Sequence, residues 1–107
     1  MKSLELTAPI FAALGDETRL TLIQRLAQDG ATSILRLTEG TPLTRQAVTK
    51  HLLVLEAAGL VQSQRSGRER VWELSPRSFQ DARSYLDAIS ARWDQALERL
   101  RDFVEDS

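Results

Sequence analysis

Between Leu43 and Gly59 the hydrophobic residues Ala47, Val48, Leu52, Leu55 and Ala58 recur at helical intervals, with Arg45, Gln46, Thr49 and Lys50 mostly between them. The spacing predicts an amphipathic helix from Thr44 to Ala58 with a polar edge near its start and Thr44 as N-cap. Upstream, Ile10, Phe11 and Leu14 mark the buried face of a helix over Thr7–Leu14, with Pro9 in its first turn. Asp16 is placed to cap a second helix over about Glu17–Gln28, with Leu20, Ile23, Leu26 and Ala27 as its stripe and Leu22 on the flank. A short third helix covers about Ser33–Thr38, and Gly40-Thr41-Pro42 turns the chain into the Thr44 helix. Downstream lie two short runs, Leu60–Arg65 and Arg70–Leu74, joined by Ser66-Gly67-Arg68-Glu69, a hairpin connection centred on glycine. From Ser75-Pro76 to about Val104 no glycine or proline occurs, which predicts one helix on the order of 40 Å long.

Two helices joined by a tight turn, then glycine, strand, basic turn and strand, give a mainly α fold. It is a winged helix-turn-helix with a two-stranded β-hairpin wing. In the last helix Ala82, Leu86, Ile89, Trp93, Ala96, Leu100 and Phe103 are spaced 4, 3, 4, 3, 4, 3, a heptad seam too long for so small a body to cover. Residues 76–104 are therefore expected to act as a dimerisation helix. Ile10 on the first helix and Leu86, Ile89, Trp93, Ala96 and Leu100 on the last are the candidate contacts of a homodimer.

Composition narrows the function. The 107 residues fit one domain spanning 1–107, and 42% hydrophobic with 27% charged residues excludes a disordered or collagen-like chain. No cysteine and a single histidine, His51, leave no thiolate chemistry and no usual zinc site, so no metal or other cofactor is expected. There is no nucleophile–base constellation or phosphate-cradling glycine loop, so an enzyme is not expected. No signal-peptide core or membrane-length apolar run is present, and a cytoplasmic protein with no membrane partner is expected.

Net charge is only −1, but its distribution is uneven. From Pro42 to Arg70 five basic residues (Arg45, Lys50, Arg65, Arg68, Arg70) face two acidic ones (Glu56, Glu69), a local +3, whereas Ser75–Ser107 carries −2. Positive charge collects on the helix and wing that would meet a phosphate backbone, pointing to double-stranded DNA as partner. Arg45 and Gln46 stand where side chains reach base edges, arginine suiting guanine and glutamine adenine. Thr49 could bond to phosphate or present its methyl group to thymine, Lys50 could reach the backbone, and Thr44 could combine its cap with a phosphate contact. Arg68, beside Gly67, suits a narrow groove, while Arg65 and Arg70 face each other across the hairpin and suit phosphates. His51 is expected to hydrogen-bond within the domain or to phosphate. Trp72 is expected to anchor the wing on the core. Trp72 or Trp93 could instead line a pocket for a small organic effector of unknown identity. Asp94 and Glu98 form an i, i+4 pair expected to be a solvated face.

Three stretches carry a family likeness: IFAALGDETRLTLIQRLA (Ile10 to Ala27), LTRQAVTKHLLVLEAAGLV (Leu43 to Val61) and RSGRERVWEL (Arg65 to Leu74). In this order and spacing they resemble the arsenic-repressor-like (ArsR/SmtB-type) family of small bacterial winged-helix transcriptional regulators. The resemblance implies that Arg45, Gln46, Thr49 and Lys50 face the major groove, that Arg68 lies at the wing tip, and that the terminal helices build the dimer. Many members sense metals through cysteines or histidine–carboxylate sets that this chain lacks, so it resembles the non-metal-sensing branch. The expected function is a sequence-specific regulator of transcription, a homodimeric repressor at an inverted repeat. The alternative is a winged-helix interaction or dimerisation scaffold without specific DNA binding.

Overall fold

A computed structural model describes residues 4–106. The order is α1 (Leu4–Leu14), α2 (Glu17–Asp29), β1 (Thr32–Ser33), α3 (Ile34–Thr38), α4 (Arg45–Ala57), β2 (Val61–Ser66), β3 (Glu69–Leu74) and α5 (Pro76–Asp106). The core lies where α1, α2, α3 and α4 meet the sheet. Leu37, Val48, Leu52, Leu55 and Leu60 are wholly buried there, and Trp72 retains 1% exposure.

The α4 helix follows its sequence pattern. Thr44 Oγ1 accepts from the Ala47 N–H at 3.1 Å, and Val48, Leu52 and Leu55 form the buried face. Its C-terminus closes in a Schellman arrangement: Gly59 N–H donates to Glu56 O and Leu60 N–H to Leu55 O, both at 2.9 Å, with Leu55 and Leu60 in apolar contact positions. Gly59 is favoured by its backbone and by its surroundings. Its φ is 77°, and a Cβ there would lie 2.6 Å from Ser78 Oγ.

The structure corrects several expectations. The first helix begins three residues before Thr7, so Pro9 stands inside α1 rather than in its first turn. It has no N–H for the carbonyl of Glu5, a loss offset because Thr7, Ile10 and Ala13 are all buried. In α2 the buried residues are Leu22 and Leu26, with Ile23 half-buried, while Leu20 is 44% exposed and Ala27 is exposed. Apolar residues surround much of this helix, so periodicity permits two phases. Packing against α4 and β3 selects the one with Leu22 inward. Asp16 caps α2 as expected, accepting from Arg19 N–H at 3.0 Å.

The two-stranded hairpin wing forms as expected, and a short third strand joins it in the antiparallel order β1-β3-β2. Thr32 and Ser33 pair with Trp72 and Val71, and Ser33 then caps α3, which starts one residue later than the spacing suggested. A two-residue strand has no alternation to read. The first hairpin strand is shifted one residue later than expected, the second starts one residue earlier, and only Gly67 and Arg68 join them. Gly67 has φ 64° and Arg68 has no positive φ, the sign pattern of a type II′ turn, whose twist suits adjoining antiparallel strands.

Candidate nucleic-acid interface

The turn that aims α4 is held by a residue the sequence pattern did not single out. Arg25, on α2, donates from Nη1 to Leu37 O at 2.8 Å and Glu39 O at 3.1 Å, and from Nη2 to Arg36 O at 2.6 Å. One guanidinium thus satisfies carbonyls left open at the end of α3, where positive charge is also favoured. The partners lie 11 to 14 residues away and all are backbone oxygens, so no side-chain motif announces them.

From this fixed turn α4 projects Arg45, Gln46 and Lys50 into solvent, with Thr49 half-buried beside them. The four residues line a shallow concavity of about 420 Å³. The Thr49 hydroxyl donates to Arg45 O at 2.8 Å.

Behind them, His51 joins α4 to the α1–α2 corner. Arg19 donates from Nε to Ala13 O at 2.7 Å, and its Nη1 lies 3.4 Å from His51 Nδ1. Asp16 Oδ2 lies 3.9 Å from the same Nδ1. The Arg19 backbone N–H holds the Asp16 carboxyl below its ordinary pKa, outweighing the opposing effect of burial, and the Arg19 charge adds to it. The histidine therefore bonds within the chain.

The wing is anchored through Trp72 and carries its cations at the far end. Arg65 and Arg70 are directly opposite each other, Ser66 faces Glu69, and Arg68 occupies the turn. Like charges in register oppose each other in a two-stranded pairing. Among the described residues Arg45, Lys50, Arg65, Arg68 and Arg70 are all exposed, and none forms an ion pair.

Residues 14–64 match the model of a helix-turn-helix domain. The chain is 38% identical over 93 residues to the HTH-type transcriptional regulator Rv2034 of Mycobacterium tuberculosis, a match covering 87% of this chain and 83% of that protein. The ArsR-like transcriptional regulator from Rhodococcus sp. RHA1 aligns with a TM-score of 0.80 at 34% identity, over 92% of each chain. The chain belongs to the ArsR/SmtB-type family of winged helix-turn-helix regulators.

As an ArsR/SmtB-type protein it is a DNA-binding transcriptional regulator, and the scaffold alternative is not favoured. A further likeness in fold, at TM-score 0.64 and 23% identity over 90% of this chain and 85% of the other, is to the homodimeric winged helix-turn-helix DNA-binding domain Mb0332 from Mycobacterium bovis. In this ArsR/SmtB-type chain the heptad seam of α5 divides by depth. Ala82 is buried at 6%, Ile89 and Ala96 are half-buried, and Leu86, Trp93, Leu100 and Phe103 are 51%, 65%, 59% and 71% exposed. Ile10, the remaining candidate dimer contact, is 4% exposed and packs in its own chain's core. Phe11, next to it, stacks at a tilt on Tyr85 of α5 with ring centroids 5.8 Å apart.

Of the two tryptophans weighed for an effector pocket, Trp72 belongs to the core. Trp93 borders a shallow groove of about 350 Å³ with Ile89, Arg92 and Ala96. A cleft of about 300 Å³ lies elsewhere, between α2 and the turn before α4, lined by Thr18, Thr21, Leu22, Arg25, Leu43 and Val48 among others. Among the described residues no group of three or more His, Asp or Glu side chains is placed to hold a metal ion, and no helix is long and apolar enough to cross a membrane.

Proposed function

We propose that residues 1–107 form one DNA-binding domain that works as a homodimeric repressor at an inverted repeat, blocking polymerase by occupancy. In this reading α4 enters the major groove, with Arg45 and Gln46 on base edges and Thr44 and Lys50 toward the backbone. Arg65, Arg68 and Arg70 of the wing meet phosphates and the adjacent minor groove. Leu86, Ile89, Trp93, Ala96 and Leu100 of α5 pair with the same residues of a second copy, giving two reading helices about one turn of DNA, roughly 34 Å, apart.

The observation that carries the reading is the set of exposed cations without ion pairs on α4 and the wing, above all Arg65 directly opposite Arg70. Such a pair opposes folding of the hairpin and becomes favourable when a polyanion lies across it. Fluorescence anisotropy on a duplex selected from a random pool and on its scrambled counterpart, at two salt concentrations, tests it. Tight binding that prefers the selected duplex and falls steeply with salt is expected. Equal, weak binding to both duplexes, with no sequence enriched by the selection, would overturn it.

A further inference from the structure

The internal bond of Thr49 changes what that residue can offer. A threonine hydroxyl has one proton to donate, and here it is given to the Arg45 carbonyl at 2.8 Å. A phosphate oxygen accepts hydrogen bonds and would find no donor. What remains at this position is a methyl group and acceptor lone pairs.

One helical turn further, Leu53 is 46% exposed. Val48, Leu52 and Leu55 complete the buried face of α4 without it. A single exposed leucine carries no information by itself, but its register does. It stands at i+7 from Gln46, i+4 from Thr49 and i+3 from Lys50, on the same outward face. Helical side chains lean toward the N-terminus, which lays Leu53 over the Thr49–Lys50 turn. A helix seated in the major groove can reach base edges from positions i, i+3, i+4 and i+7. Residues 46, 49, 50 and 53 are such a set, and two of the four present apolar groups.

The apolar feature that distinguishes a base edge in the major groove is the C5-methyl of thymine. We infer that Thr49 and Leu53 are specificity-determining residues that read thymine methyl groups in the operator, while Arg45 and Gln46 supply the polar readout. The inference rests on α4 being the major-groove helix. Burying one methyl-sized group in such a contact corresponds to about a fourfold change in affinity.

The test uses the full chain and a duplex selected from a random pool, in which each thymine of a half-site is replaced in turn by deoxyuridine, which lacks only the methyl. Wild type should lose about fourfold in affinity at one or two positions. Leu53→Ala and Thr49→Ser should each bind the thymine duplex more weakly and cease to distinguish thymine from deoxyuridine at one of them. Thr49→Val, which keeps a methyl but not the hydroxyl, should retain the distinction. Indifference of wild type to every replacement, or unchanged discrimination in both methyl-removing variants, would overturn the inference. Arg45→Ala and Gln46→Ala separate this from failure of the underlying reading. If both keep the full preference for the selected over the scrambled duplex, α4 is not the reading helix and both conclusions fall. If they lose it while deoxyuridine is tolerated, only the methyl readout is wrong.

Discussion

Asp16 shows how one side chain serves two elements. Its carboxylate caps α2 through the Arg19 N–H, and it lies beside the His51 ring on α4. Because its pKa is lowered on folding, the deprotonated form is the one the native state favours. The resulting stability is present above the ordinary carboxylate range and is lost as pH falls through the lowered native value. An Asp16→Ala variant should therefore melt at a lower temperature than wild type at pH 7. The gap should narrow when both are melted at about pH 3, below the reference pKa of an aspartate. A gap independent of pH would show that the side chain acts through packing rather than charge. Arg25 acts at the same scale with opposite chemistry, a cation donating to carbonyls at the end of α3.

At the scale of elements, the join between α4 and the wing decides how the two reading surfaces are set relative to each other. Gly59 is the fulcrum, with positive φ and Ser78 Oγ 2.6 Å from the place a Cβ would occupy. Gly59→Ala should cost about 1–2 kcal/mol from the left-handed backbone alone. It should cost more if Ser78, whose hydroxyl donates to Ala58 O at 3.3 Å, must rotate away. Urea unfolding of Gly59→Ala beside Gly59→Ala/Ser78→Ala separates the contributions. The second substitution should recover part of the loss but not the backbone strain. Full recovery would mean that α4 can end without the left-handed residue.

For the whole molecule, the dimensions of 68 × 28 × 21 Å describe a small body with α5 extending from it. Thirty-one helical residues span about 46 Å. Beyond Ala82 no seam residue is buried, so about half a dozen large apolar side chains rest in water unless a second copy covers them. Trp93→Glu should shift the protein toward monomer in sedimentation velocity while leaving its circular dichroism spectrum unchanged, since a residue 65% exposed in one chain contributes little to that chain's own core. Weaker binding to a two-half-site duplex, with binding to a single half-site little changed, should accompany the shift. A variant that stays dimeric would place the contact elsewhere on the chain.

The elements whose stabilising partners lie nearby in sequence were legible without coordinates. The α4 helix, its Thr44 cap, the glycine that ends it and the α5 seam each depend on residues within a turn or two of one another, and local periodicity records that. The cationic edge was legible too, because exposed charge needs no partner within the chain. Elements defined by distant partners were not. The phase of α2 was chosen by packing against α4 and β3, the strand Thr32–Ser33 exists only because β3 lies beside it, and the Arg25 clamp and the His51–Asp16 approach join residues 11 to 35 positions apart. Ile10 and the α5 seam share the same apolar helical spacing, but its own chain covers Ile10 and leaves the seam beyond Ala82 without full cover. An apolar residue at helical spacing states that it will be covered, and only the tertiary structure decides whether its own chain does the covering.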